Sequence, residues 1–310
     1  MGTVLELTLR VREERAGRAL LERLYARAAE LEAALSTWQP ESSVSRLNAA
    51  AGAGPEEIAP ELAALLREAL PLTARTGGSF DVTVGPLVAL WKEAARQGRV
   101  PAPEEIAAAR SLVGAELVEL RGGRAALAQP GMSLELGGVA KGFALDRLAE
   151  TLRAEGVGNA LLSFGESSIV ALGAPEGGGR WRLLVRGAMG ELAGVLALRD
   201  QALSVSGSLA QSEEIGGRRF GHVIDPRSGA PLERARVAVV LAATAAAAEG
   251  WSKAVLVLGA EGGLALAEAE PGVEALVLEE DGRRSATSGF ARAAAFEALA
   301  PAGPEDEPRR

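Results

Sequence analysis

Three observations predict an α+β fold. In several short stretches apolar residues alternate with polar ones, the period of a strand. In longer stretches they recur every three to four residues, the period of a helix with one buried face. The two kinds of stretch do not alternate along the chain as regular βαβ units do: strands that need distant partners are interspersed with several helices. No internal repeat and no clear linker is visible.

Taken in order, Val4 to Val11 alternates as V-L-E-L-T-L-R-V and reads as a strand. Ala16 to Leu35 is a helix by the spacing of Leu20, Leu21, Leu24, Ala28, Leu31 and Leu35. Ser36 to Asn48 is a polar loop with one large aromatic, Trp38, and Pro60 to Thr76 is a second helix ending at Gly77-Gly78. In Ser79 to Trp91, Phe80, Val82 and Val84 predict a short strand, and Gly85-Pro86 a turn. Pro103 to Arg110 reads as a helix, and Val113 to Leu127 as a hairpin around Gly122-Gly123. Met132 to Leu136 alternates like a strand end, turns at Gly137-Gly138 and enters a helix near Lys141, marked by Leu145, Leu148, Ala149 and Leu152. Asn159 to Leu172 is a buried strand broken at Gly165. Trp181 to Val185, Leu192 to Leu198, Ala202 to Ser208 and Arg219 to Gly229 follow as strands, the last ending in a proline turn. Arg236 to Ala242 is an apolar strand, Ala245 to Val257 a helix and Leu264 to Ala269 a short one. Val273 to Glu279 and the segment after Gly282 close the sheet. Pro301 to Arg310 is charged and proline-rich, and is expected to be disordered.

Composition narrows the chemistry. The 310 residues are 48% hydrophobic and 24% charged, as in a water-soluble globular protein. A net charge of −8 gives no support to a polyanion-binding surface. There is no cysteine, so disulfides, thiolate metal sites and a cysteine nucleophile are absent, and the single histidine, His222, rules out a multi-histidine zinc site within one chain. No apolar run is long enough to span a membrane; the longest, Val237 to Ala248, is alanine-rich and too short. The N-terminus lacks a basic segment followed by an apolar one, and no cysteine is available for a lipid anchor.

The stretch Leu134 to Asp146, L-E-L-G-G-V-A-K-G-F-A-L-D, carries the clearest local signal. Glycines at a strand-to-helix junction let backbone groups approach a ligand, and a helix N-terminus with Lys141 beside it suits a phosphate. A tight turn with a surface lysine explains the same pattern. Trp38 is a core anchor or a ring stacked on a ligand. Asp81 is a turn cap or a functional carboxylate. His222 is a structural histidine at a strand end or a base.

Motifs distributed over nearly the whole chain resemble the ApbE family of FAD:protein FMN transferases. They are Met1-Gly2-Thr3, Ser36-Thr37-Trp38 with Ser45-Arg46-Leu47-Asn48, Phe80-Asp81 with Val84-Gly85-Pro86-Leu87 and Trp91, and the central Gly-Gly-x-Ala-Lys-Gly. Ser206-Gly207 and His222-Val223-Ile224-Asp225-Pro226 with Ser228-Gly229 complete the set. The resemblance implies a single domain over residues 1–300, α+β, with helices packed on mixed, largely antiparallel sheets. It implies cleavage of the FAD diphosphate and transfer of FMN to a threonine or serine hydroxyl of an acceptor flavoprotein. By family position, Met1, Trp38, Ser79, Phe80, Asp81, Glu135 and Lys141 line the FAD site, together with Gly137, Gly138, Ser206, Gly207, His222, Val223 and Ile224. Glu135 stands where the family usually has aspartate. Lys141 is expected to neutralise the diphosphate, and His222 to be the general base.

The resemblance also implies magnesium, held between the Gly-Gly turn and an Asp-x-x-x-Thr pair on a late helix. Here those positions are Gly138, Glu249 and Lys253, with Ser252 between the last two. An ammonium donates hydrogen bonds and cannot bind a cation. Either Lys253 occupies the metal's place, or it points away and a weaker site survives on Glu249, Ser252 and the Gly138 carbonyl. Ser206-Gly207-Ser208-Leu209 also lacks the aromatic that usually ends this motif. A non-catalytic FAD-binding protein and an FAD pyrophosphatase releasing FMN and AMP are the rival activities. The family is usually exported or membrane-anchored, whereas this chain reads as cytoplasmic: either its start is trimmed or this member works inside the cell.

Overall fold

The computed structural model describes residues 3–215 and 217–299. Met1 and the 301–310 tail lie outside the described residues. The elements begin with β1 (Leu5–Leu9), α1 (Glu14–Leu35), α2 (Ser43–Ala49), β2 (Glu56–Glu57), α3 (Pro60–Arg75), α4 (Gly85–Arg96) and α5 (Pro103–Arg110). Then come β3 (Val118–Arg121), β4 (Arg124–Leu127), α6 (Ala140–Ala154), β5 (Ala160–Phe164), β6 (Ser168–Leu172), β7 (Trp181–Arg186), β8 (Leu192–Leu198) and β9 (Gln201–Gly207). The chain continues through β10 (Ser212–Ile215), β11 (Arg218–Gly221), β12 (Arg236–Ala242), α7 (Ala245–Glu268), β13 (Glu274–Glu279), β14 (Arg284–Ala286), α8 (Phe290–Ala294) and β15 (Glu297–Ala298).

Seven strands form the main sheet in the order β1-β5-β6-β9-β12-β13-β14, antiparallel at every pairing. Both faces are buried, and strand alternation assigns the side chains. Val170, Leu172, Ala238, Val240, Ala275 and Val277 point to the core shared with α1, α3, α6 and α7. Ile169, Ala171, Val239, Leu241, Leu276 and Leu278 point to a second core under β7, β8 and α8. Two buried faces explain why β12 is a continuous apolar run rather than an alternating one. A third, smaller cluster joins α4 and α5 to the β10–β11 hairpin through Leu87, Trp91, Ile215, Phe220 and Ile224. No helix among the described residues is long and apolar enough to cross a membrane.

The α+β expectation holds, and four local readings are corrected. The loop expected over Ser36 to Asn48 contains α2, because the Ser42 hydroxyl caps it by accepting the Ser45 N–H at 3.1 Å while Val44 and Leu47 are buried. Gly85-Pro86 does not end a strand; proline in the first turn opens α4, and 80–84 forms no ladder. Asn159 to Leu172 is not one broken strand: Gly165, at φ 62°, folds β5 back on β6. Met132 to Leu136 is extended without a strand partner. The Asn48 amide serves in its stead, donating to the Leu134 carbonyl at 3.0 Å and accepting the Leu134 N–H at 2.7 Å. The two helices expected near the C-terminal end are both present within the α7 span, separated at Gly259, whose φ 75° and ψ −171° only glycine adopts readily.

Candidate active site

The site is organised by the crossing of α6 and α7. Gly142 makes that crossing close: a Cβ there would stand 2.3 Å from the Ala245 carbonyl oxygen. The buried Asp146 carboxylate, one turn further along α6, accepts the N–H groups of Ala245 and Ala246 at 2.8 and 2.9 Å and caps the start of α7. Burial pushes the Asp146 pKa up to about 6 against those two bonds. With the helices locked, Lys141 Nζ reaches Glu249 Oε1 at 3.1 Å.

Glu249 is wholly buried between α7 and the sheet. Alternation points Ser168, Ser204 and Ser206 at the helix, where helical spacing presents Glu249 and Ser252 to them. Ser168 Oγ donates to Glu249 Oε1 at 2.5 Å, and the Gly142 N–H donates to Oε2 at 2.8 Å. Burial favours the neutral acid, but Lys253, Lys141, Ser168 and Gly142 together outweigh it and hold the Glu249 pKa below its ordinary value. Ser252 Oγ lies 2.9 Å from Ser204 Oγ and 2.8 Å from Ser206 Oγ, and donates to the Glu249 carbonyl at 2.9 Å. Its hydroxyl is therefore spent on the sheet side.

On the other side of this core is a cavity of about 320 Å³. Trp38, Ser79, Phe80 and Asp81 line one part of it, and Glu135, Gly137, Gly138 and Lys141 another. His222, Val223, Ile224 and Lys253 complete the wall. Of the residues expected at an FAD site, Ser206 and Gly207 do not reach the cavity, and Met1 falls outside the described residues. Lys92, Gln211 and Val257 also line it without having been singled out by the sequence. Lys92 had a signal available: it lies on the helix that carries Trp91, one turn beyond Val88, another lining residue.

Individual side chains are already committed in different ways. Trp38 is 80% exposed, with Lys92 Nζ 5.0 Å from its ring centroid, so it is a free face and not a core anchor. Phe80 is buried and close to Gly138 and Gly250. Ser79 donates to the Thr76 carbonyl at 2.6 Å. Asp81 accepts the Thr83 N–H and hydroxyl at 2.8 and 2.7 Å and the Ala115 N–H at 3.2 Å, and burial raises its pKa. Glu135 Oε1 accepts the Gly137 N–H at 2.9 Å. Neither Gly137 nor Gly138 has a positive φ. Gly138 instead leaves open the space between Phe80 and Lys253, whose ring and stem would be 3.4 and 3.9 Å from an added Cβ.

His222 stands on the rim. Its Nδ1 lies 3.0 Å from the Gln211 carbonyl oxygen, which can only accept, so the proton sits on Nδ1 and Nε2 is left as a free acceptor. Desolvation in the cleft, then the charges of Lys253 and Lys141, hold the imidazole pKa below 6.5 against that bond. The ring also borders a second, apolar cavity of about 150 Å³, between Trp91, Ile215 and Phe220.

The expected magnesium site is not reproduced by this donor set. Glu249 is surrounded by protein donors, Ser252 is turned to the sheet, and Lys253 brings a positive charge to the third position. Among the described residues no group of three His, Asp or Glu side chains converges elsewhere to hold a metal.

A family model described as the ApbE family matches residues 1–277. The FAD:protein FMN transferase of Klebsiella pneumoniae is 32% identical over 271 residues, 84% of this chain and 77% of that protein. That of Salmonella typhimurium is 34% identical over 237 residues, 73% of this chain and 67% of that protein. Among solved structures, the flavin transferase ApbE from Vibrio cholerae superposes with a TM-score of 0.83 at 28% identity, covering 94% of this chain and 96% of that one.

Proposed function

The chain belongs to the ApbE family, and from that premise we propose that it is an FAD:protein FMN transferase. FAD is the substrate, and a flavoprotein with a threonine or serine hydroxyl is the acceptor. The flavin takes the cavity beside Trp38 and Phe80, and the diphosphate lies by Gly138 and the start of α6, where Lys141 is held. The acceptor hydroxyl oxygen attacks the phosphorus of the FMN half. That P–O bond forms, the bond from the same phosphorus to the bridging oxygen breaks, and AMP leaves. The hydroxyl proton goes to His222 Nε2.

The observation that carries this reading is the pairing of two functions in one cavity. One is a cation, Lys141, fixed by the buried Glu249. The other is an imidazole whose Nε2 is free and whose lowered pKa keeps it neutral near pH 7. Phosphoryl transfer needs charge neutralisation and positioning more than covalent help.

The test is incubation with FAD and a threonine-bearing acceptor domain, followed by intact mass and nucleotide chromatography. The expected result is an acceptor heavier by one FMN, with AMP released in equal amount. AMP and free FMN with an unmodified acceptor assign a pyrophosphatase instead. FAD binding without AMP release assigns a non-catalytic flavin binder.

A further inference from the structure

Among the described residues, Lys253 is the cation of the cavity wall with no carboxylate in direct contact; Glu249 acts on it only through longer-range electrostatics. Its neighbour Lys141 is neutralised by Glu249 at 3.1 Å. The third lysine of the wall, Lys92, lies over the Trp38 ring. Among the described residues no carboxylate comes within 4.0 Å of Lys253 Nζ; the two acids lining the same cavity are engaged, Asp81 by Thr83 and Ala115, Glu135 by the Gly137 N–H. The lysine stem passes Gly138, and the residue is half-buried in the wall.

An ammonium in a cavity wall with no carboxylate in contact is a site for an anionic ligand. It is also a site that repels a divalent cation. Magnesium demands six oxygen donors in octahedral array. Here the stem of a lysine passes the position beside Gly138, and the Glu249 carboxylate already serves Lys141, Ser168 and Gly142.

We propose that Lys253 binds the FAD diphosphate directly in place of a metal ion, so that this chain takes up FAD without magnesium. The inference rests on FAD being the ligand of the cavity, as in the transferase reading, and deepens it. Lys141 and Lys253 then flank the diphosphate from α6 and α7, one held by Glu249 and the other free to pair with phosphate oxygen.

The test is equilibrium binding, read by quenching of flavin fluorescence, with FAD and with riboflavin, each in magnesium and in EDTA. The wild-type chain is expected to bind FAD equally in both buffers. Lys253→Met, which keeps the stem's volume, should lose about tenfold to a hundredfold in FAD affinity, the worth of a charged hydrogen bond. Its riboflavin affinity should be unchanged, which shows that the variant is folded and that the lysine acts on phosphate. Lys253→Arg should retain part of the FAD affinity. FAD binding that tightens in magnesium overturns the inference alone. So does an equal loss of FAD and riboflavin affinity in Lys253→Met. A wild-type chain that binds FAD in neither buffer overturns the inference and the transferase reading together.

Discussion

Lys141 and Glu249 meet across the α6–α7 crossing, Nζ to Oε1 at 3.1 Å, with the lysine at the cavity wall and the glutamate wholly buried behind it. Removing the carboxylate strands three donors at once: the Lys141 ammonium, the Ser168 hydroxyl and the Gly142 N–H. Glu249→Ala is therefore expected to cost about 3–5 kcal/mol of stability, the usual penalty for breaking a buried ion pair. Glu249→Gln, which keeps an acceptor for Gly142, should cost less. Urea unfolding of the two variants beside wild type checks both values.

His222 should separate binding from chemistry. His222→Ala is expected to keep FAD affinity and to slow transfer by about 10²- to 10⁴-fold, the range of a lost general base. Because the imidazole pKa is lowered from 6.5, the active neutral form accumulates as pH rises through a value below 6.5, and the rate is flat above it. Single-turnover transfer against pH reads this directly. An acid limb centred above 6.5, or one that survives in His222→Ala, is inconsistent with His222 as the base.

Asp146 gives a stability signature with the opposite sign from an ordinary ion-paired acid. Its pKa is raised from 3.8 to about 6, so between those values the folded chain holds a proton that the unfolded chain has released. The contribution of this residue to stability therefore falls as pH rises through that window, by at most about 3 kcal/mol, and is constant above it. The difference in unfolding free energy between wild type and Asp146→Asn should decline from about pH 4 to pH 6 and then level off. A difference that grows with pH would mean that the two helix N–H groups, and not burial, set the ionisation.

Gly142 is a steric gate on the same geometry. In Gly142→Ala the new Cβ would stand 2.3 Å from the Ala245 carbonyl oxygen and 2.7 Å from the Ala246 nitrogen. The crossing must open, at a cost of about 1–3 kcal/mol. Since Lys141 and Glu249 meet only when it is closed, FAD affinity should fall more than riboflavin affinity. Paired thermal melts and fluorescence titrations would detect both effects.

Elements whose burial follows their own local period were legible in the sequence. The α1 and α3 helices, the β3–β4 hairpin and the β7, β8, β9 and β12 strands occur close to where alternation or helical spacing predicts them. What local pattern could not reveal depends on distant partners. The Met132 to Leu136 stretch alternates like a strand, yet its pairing comes from the side chain of Asn48, far back in the chain, and from one backbone bond, the Glu135 N–H donating to the Val82 carbonyl. The strand expected at Phe80 to Val84 is a turn because Asp81 ties it to Thr83 and Ala115. The lining of the cavity was legible through motif resemblance and not through periodicity, since Trp38, Phe80, Lys141, His222 and Lys253 come from five separate elements or loops. The resemblance could not indicate where Ser252 turns. That required the register of β6 and β9, which presents Ser204 and Ser206 to its hydroxyl.

The most direct measurement is a crystal structure of the protein with FAD, grown with magnesium in the solution. The expected density puts the diphosphate within hydrogen-bond distance of Lys253 Nζ and beside Gly138, with Trp38 against the flavin or its linker and no octahedral ion between Glu249 and the phosphates. An ion with six oxygen ligands at that position, with Lys253 swung out of the cavity, would contradict the lysine site. A diphosphate bound away from α6 and α7 altogether would contradict the active-site assignment.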